Sequence, residues 1–335
     1  MTMTEHGSDV SVPAVSVIVP LYNKQTHVAR TLQSVLAQDW TDFEIVVVDD
    51  GSTDSGPEHV LACGDPRIRL IRQPNAGPGA ARNRGLRESR GLLAAFLDAD
   101  DEWLPGLLRT SVQHLANHPD CAACVSGYYE GTQKRERATR ADSPLFRPGV
   151  WRLPAGVSAW RVKQAVESTW TGTVVCRREV ALRLGGFYEN RCTYGEDGYL
   201  WLKLLLTQSL YRNPTPLAWY HTDASELGIH GRTRLPVRPV LTDPGPIRAL
   251  CPDSHRSALE EYLALMALLT ARRHVVYGDI ATARWAVQAY PRMRRFRKEY
   301  ALLRCEMLAE PLLRRVGWAT LHRWHRRITG RRGKP

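Results

Sequence analysis

Apolar runs of strand length alternate with segments of helical apolar spacing through the first 130 residues of this 335-residue chain. Residues 15–20 (VSVIVP), 43–48 (FEIVVV), 68–71 (IRLI), 92–97 (LLAAFL) and 121–129 (CAACVSGYY) read as strands. Residues 25–38 carry Val28, Leu32, Val35 and Leu36 on one helical face. Residues 79–89 and 104–117 also read as helices, with Pro105 acceptable near a helix start. Short links between alternating strands and helices imply an α/β fold with a mostly parallel sheet covered on both faces. Right-handed crossovers then bring the carboxyl ends of the strands, and the loops after them, to one edge.

The strand ends are where the polar residues gather. Asp98, Asp100 and Asp101 stand directly behind the buried run 92–97. Clustered carboxylates repel and lose solvation unless a cation or hydrogen-bond donors offset them. At such an edge the cluster suggests a divalent metal holding a phosphate; the other reading is a polar loop in which Asp101 caps the next helix. Pro20, Tyr22 and Asn23 close the first strand, and Asp49 and Asp50 the second. A carboxylate at the second strand's end suits a nucleobase imide or a ribose hydroxyl, or simply a turn. Residues 75–83 (NAGPGAARN) are a glycine-rich approach to a helix that carries Arg82, which suits an anion. They match neither GxGxxG nor GxxxxGK[ST], which argues against a dinucleotide oxidoreductase and a phosphate-loop ATPase. Further on, residues 170–176 read as a strand, 179–184 as a helix closed by Gly185 and Gly186, and 196–206 as a helix opened by Glu196 and Asp197. Acids at a helix start are favoured by the macrodipole whether or not they do chemistry.

Taken together in this order, VSVIVPLYN at 15–23, FEIVVVDDGSTD at 43–54, NAGPGAARNRGL at 75–86, FLDADDEWLP at 96–105 and GGFYE…GEDGYLWLKL across 185–204 resemble glycosyltransferase family 2, the inverting transferases of the GT-A fold. The resemblance covers roughly residues 14–225. It implies a Rossmann-like, mostly parallel sheet flanked by helices. It places Pro20, Tyr22 and Asn23 beside the nucleotide, Asp50 with Asp49 on a uracil, and Arg82 in the nucleotide-holding segment. Asp98-Ala99-Asp100 matches the DXD motif, with Asp100 on Mn²⁺ or Mg²⁺ and Asp98 on the ribose or the metal shell. Glu196-Asp197 matches the ED motif, with Asp197 as catalytic base. The chemistry is coherent: a hard cation offsets charge building on a diphosphate leaving group, and a separate carboxylate takes the acceptor's proton. Beyond the base the pattern departs from the family: residues 219–225 are compressed, and His221 stands there as a candidate diphosphate or metal contact. The resemblance thus implies a nucleotide-sugar donor and a glycan or lipid-linked acceptor, in polysaccharide or glycolipid biosynthesis. The alternative is a catalytically degenerate protein that binds a sugar-nucleotide or glycan, against which the intact acidic pairs argue. A nucleotidyltransferase lacks its basic glycine-rich loop near the N-terminus.

Composition bounds the rest. No run of 18 apolar residues occurs, and residues 1–9 carry no secretory pattern, so a cytoplasmic protein is expected. Cys121 and Cys124 have CxxC spacing but no second pair, which favours a reduced buried pair over zinc. The net charge of +12 is concentrated: residues 291–335 hold fourteen Lys or Arg against three Glu, leaving +1 for the first 290 residues. Residues 255–285 and 292–328 read as helices forming a C-terminal helical appendage, with aromatic and apolar residues interleaved among the bases. Such a segment lies on anionic membrane at the inner leaflet, or packs as a solvated helical pair; no recognised motif supports nucleic acid. The expected organisation is a disordered 1–13, a catalytic domain at 14–230, a Pro-rich linker at 231–254, and a basic helical region at 255–335. The basic loop 134–152 and residues Trp151 and Trp160 read either as acceptor-shaping or as ordinary packing.

Overall fold

The computed structural model describes residues 12–132, 137–138, 147–190, 192–224 and 235–316, with 137–138 and 310–316 as backbone. These residues fall into two compact units, one drawn from 12–154, 164–239 and 245–252, the other from 155–163, 240–244 and 253–316.

The first unit begins with β1 (Val15–Leu21), α1 (Val28–Leu36), β2 (Phe43–Asp49), α2 (Gly56–Ala62), β3 (Ile68–Arg72), α3 (Pro78–Glu88) and β4 (Leu93–Phe96). β3, β2, β1 and β4 are neighbours in that order, and all their pairings are parallel. The continuous apolar runs have a direct cause. Val17, Val19, Ile45 and Val47 meet Val28, Leu32 and Val35 of α1, while Val46 and Val48 on the opposite face meet Ala81 of α3. A strand covered on both faces needs apolar residues at both parities.

Beyond β4 the sheet becomes mixed. The chain continues through β5 (Glu102–Trp103), α4 (Leu107–Asn117), β6 (Cys121–Gly131), β7 (Arg137–Ala138), β8 (Gly149–Trp151), α5 (Ala159–Glu167), β9 (Val174–Arg177), α6 (Arg178–Arg183), α7 (Glu196–Thr207) and β10 (Ser209–His221). β9 runs antiparallel between β4 and β6, β10 lies parallel to β6, and β5 and β8 pair antiparallel with β10. The strand expected at 170–176 starts later, because Thr171–Thr173 form a 3-10 turn. β10 has no counterpart in the sequence reading. Pro214 and Pro216 hid it: proline interrupts a ladder, and the pairing with β6 shifts register between Asn213 and Pro216. Most of the basic loop expected at 134–152 lies outside the described residues. Cys121 and Cys124 are free and buried in β6, and burial pushes the Cys124 thiol up to about 12.

The Pro-rich stretch holds two short helices, α8 (Pro239–Thr242) and α9 (Gly245–Leu250). Proline is tolerated in a first turn, where its missing N–H costs no intrahelical bond. In the second unit, α10 (Asp253–Val276) and α11 (Ile280–Ala289) cover the helical stretch expected over 255–285. Gly278, at φ 76°, turns the chain between them, and Asp279 caps α11 by accepting from Thr282 N at 3.1 Å. A 3-10 turn, Pro291–Arg295, precedes α12 (Arg297–Val316); residues 317–328 lie outside the described residues. Among the described residues no helix is long and apolar enough to cross a membrane.

α3 approaches β1 closely because Gly85 carries no side chain: an added Cβ would stand 2.4 Å from Ile18 Cγ2. Gly85→Ala is therefore expected to destabilise the protein by about 1–3 kcal/mol, read as a lowered urea midpoint with an unchanged slope.

Candidate active site

β2, β1 and β4 are adjacent, so their carboxyl ends place Asp49 and Asp50, Pro20 to Asn23, and Asp98 to Asp101 side by side. Asp50 is buried, and its carboxylate accepts from Gln73 Nε2 at 2.7 Å, Ala76 N at 2.9 Å and Gly77 N at 2.8 Å. The glycine-rich approach to α3 thus hangs from the end of β2. Asp49 accepts from Ser52 N at 2.8 Å and faces Arg72 at 3.8 Å. Asn23 sits in the left-handed region at φ 50° and accepts from Thr53 N at 2.8 Å, locking the loop after β1 to the loop after β2. Tyr22 is exposed beside them.

Arg82 joins the other motifs. It is buried in α3, and its Nη2 donates to Asp98 Oδ1 at 2.6 Å while Nη1 donates to Glu196 Oε1 at 3.0 Å. Burial opposes its charge, but Asp98, Glu196 and Asp197 outweigh burial and raise its pKa further. Glu196 lies the other way. Burial and the adjacent Asp197 push its carboxyl up to about 7, against the pull of Arg82. The two directions agree physically, because one guanidinium is shared between two carboxylates and offsets Glu196 only in part.

Asn83, the next residue of α3, grips Phe187 on both sides: its Nδ2 donates to Phe187 O and its Oδ1 accepts from Phe187 N, each at 2.8 Å. Gly186, at φ 65°, makes room, since a Cβ there would lie 2.2 Å from Asn83 Oδ1. The Phe187 ring meets Phe96 of β4 edge-on at 4.9 Å and Trp201 of α7 at 5.4 Å. This apolar joint seats the start of α7 beyond the end of β4. There Asp197 accepts from Thr171 Oγ1 at 3.1 Å and Gly198 N at 2.7 Å, and Thr171 accepts in turn from Trp201 Nε1 at 3.0 Å.

The acidic run after β4 is divided among partners. Asp98 holds Arg82, and Asp100 Oδ2 faces Lys24 Nζ at 3.1 Å. Burial and then Asp98 raise the Asp100 pKa, with Lys24 opposing. Asp101 caps no helix, since α4 begins only at Leu107. Instead it is fully buried and accepts from His221 N at 2.9 Å, tying down the end of β10. Burial and the neighbouring Asp100 and Asp98 push its pKa well up. The structure sets the ring of His221 on Glu102 (Nε2 to Oε1, 2.9 Å) rather than on Asp100. Burial and Arg30 lower its pKa against Glu102, which favours a neutral ring. Among the described residues no three metal-donating side chains converge. A hard cation needs fewer when phosphate oxygens complete its shell, and the oxygen donors of Asp98 and Asp100 fit such an ion.

Lys24, Asn83 and Thr171 escaped the sequence reading. Asn83 lies within a motif already singled out. Lys24 and Thr171 carry no signal of their own, because their partners come from distant elements.

Comparison with known proteins follows this geometry. The glycosyl transferase family 2 model matches residues 16–178. The chain is similar to the uncharacterized glycosyltransferase YibD of Escherichia coli K12, 40% identical over 176 residues, covering 50% of this chain and 49% of that protein. It is similar to the succinoglycan biosynthesis protein ExoO of Rhizobium meliloti, 45% identical over 103 residues and 30% of each chain. It therefore spans about half or less of the length of these relatives. In fold it is similar to S. aureus TarS in complex with UDP-GlcNAc (TM-score 0.62, 19% identity, 88% of each chain). It is also similar to the mannosyltransferase PcManGT of Pyrobaculum calidifontis in complex with GDP-Man and Mn²⁺ (TM-score 0.52, 21% identity, 91% of this chain and 87% of that one). Residues 16–178 thus match glycosyl transferase family 2, and the fold is that of the GT-A glycosyltransferases.

Proposed function

We propose that this protein is an inverting glycosyltransferase that moves a sugar from a nucleotide-sugar, a UDP-sugar first among them, to an acceptor hydroxyl in polysaccharide or glycolipid assembly. One observation carries the reading: Arg82 binds Asp98 of the DXD run and Glu196 of the ED pair at once, so the strand edge that suits a nucleotide diphosphate and the helix start that suits a base form one site. Tyr22 offers a face for a base, and Asp50 and Asp49 border it. Asp98 and Asp100 would hold Mn²⁺ or Mg²⁺, which when bound supplies positive charge to the diphosphate leaving group. Asp197 takes the proton of the acceptor hydroxyl as that oxygen attacks opposite the leaving group. Thr171 and the Gly198 N–H each hold one oxygen of Asp197 and so fix how its carboxylate is turned for that task. Glu196 holds Arg82 and stays off the reaction path. The nucleotide-sugars bound in TarS and PcManGT, and the place of ExoO in succinoglycan biosynthesis, support the donor class and the setting.

The second unit supports a place at a membrane surface. Arg292, Arg294, Arg297, Lys298 and Arg304 are exposed and have no ion pair among the described residues, and Trp285 and Leu308 are exposed near them in sequence. Unpaired cations with scattered apolar side chains suit anionic headgroups. Residues 291–335 would then bring the protein to the inner, cytoplasmic face, where a lipid-linked acceptor is presented.

Three outcomes are expected. Asp197→Asn lowers sugar transfer by roughly 100-fold or more in a donor screen that reads nucleotide release, while UDP binding by calorimetry in the presence of Mn²⁺ persists; unchanged transfer would remove Asp197 as the base. Glu196, with its pKa raised to about 7 in the fold, contributes stability that is complete below its unfolded pKa and is lost as pH rises through about 7. Thermal melts from pH 5 to 8.5 should therefore fall more steeply for the wild type than for Glu196→Gln. Replacing Arg292, Arg294, Arg297, Lys298 and Arg304 by Gln in the full chain should weaken co-sedimentation with phosphatidylglycerol vesicles by roughly tenfold or more and leave phosphatidylcholine binding unchanged.

A further inference from the structure

Lys24 is the unexplained charge of the site. It stands in the loop after β1, with only 15% of its side chain exposed, and its ammonium has two partners. Nζ lies 3.1 Å from Asp100 Oδ2 and donates to Ala224 O at 2.8 Å. A single cation therefore bridges the acidic run to the turn that follows β10. Its surroundings add to the positive field. Arg30 Nη2 donates to Asp100 O at 2.8 Å, and Arg30 Nε pairs with Glu102 at 3.0 Å. His27 lies between Lys24 and Arg30 in the chain, and burial followed by Arg30 lowers its pKa.

Two cations cannot share one carboxylate oxygen at contact distance without repelling each other, and the repulsion is strong where solvent is thin. Asp100 is the carboxylate that the proposed function assigns to the divalent ion, and Lys24 already neutralises it. We infer that Lys24 is an internal competitor for that ion: its ammonium occupies the Asp100 carboxylate in the nucleotide-free protein and must leave before Mn²⁺ or Mg²⁺ binds, which keeps metal affinity low until a diphosphate supplies further oxygens. This inference rests on the reading of Asp100 as the metal-holding carboxylate. It also assigns Lys24 a second position, since an ammonium leaving Asp100 and Ala224 O beside a diphosphate has an anion at hand. Lys24 is thus a positioning residue that makes metal and nucleotide bind together rather than singly.

Mn²⁺ titration followed by loss of the free-ion electron paramagnetic resonance signal tests this without turnover. The full-length protein is compared with Lys24→Gln, Lys24→Met, Lys24→Arg and Asp100→Asn, each with and without UDP. Without UDP, the Gln and Met variants should bind Mn²⁺ roughly tenfold or more tighter than wild type, Lys24→Arg should remain close to wild type, and the UDP-induced gain in affinity should shrink in the Gln and Met variants alone. Asp100→Asn combined with Lys24→Gln should abolish the tighter binding. Equal or weaker Mn²⁺ affinity in the Gln and Met variants, with binding still dependent on Asp100, would overturn the competition and leave the metal reading standing. Absence of Asp100-dependent Mn²⁺ binding in every variant, with UDP present, would overturn both.

Discussion

A buried guanidinium holds this site together. Arg82 comes from α3, Asp98 from the end of β4 and Glu196 from the first turn of α7, and no other group among the described residues is bonded to all three elements through charge. Removing one member of such a buried set strands the others without solvent, which costs about 3–5 kcal/mol. The planar fork matters as much as the charge. Its two Nη atoms point at two carboxylates in different directions, which a lysine ammonium cannot reproduce with the same geometry. The apolar joint of Phe96, Phe187 and Trp201 then keeps the helix start where the fork can reach it.

The acidic run is less a cluster than a set of separate assignments. Asp98 is committed to Arg82, Asp100 to Lys24, Asp101 to the backbone of β10, and Glu102 to Arg30 and His221. Four neighbouring acids thus turn to four surroundings, yet Asp98 and Asp100 still press on Asp101 and hold its pKa up. Asp101 is the extreme case, buried where a charged form is disfavoured, and it serves as a hydrogen-bond acceptor for the strand end.

The parallel half of the sheet was legible in the sequence because its signals are local. Both faces of β1, β2 and β4 are covered, so their runs are apolar throughout, and the polar residues that close them stand next in the chain. The family resemblance supplied the ED pair, and the structure sets it against Arg82. What stayed hidden depends on distant partners. β10 is a long strand disguised by two prolines, and it matters because it delivers His221 to Glu102. Thr171 reaches Asp197 from a 3-10 turn that looks like the start of a strand. Lys24 meets Asp100 across 76 positions of chain. Gly278 and Asp279 divide the helical stretch 255–285 in two, a boundary set by one left-handed glycine and one cap.

Asp50 has a consequence beyond holding a loop. Because its carboxylate already gathers Gln73, Ala76 and Gly77, the loop before α3 is shaped by the fold itself. The conformational entropy of ordering that loop is lost once, when the chain folds, and not again at each encounter. Under the proposed function, a base entering there would meet a loop that the fold has already ordered.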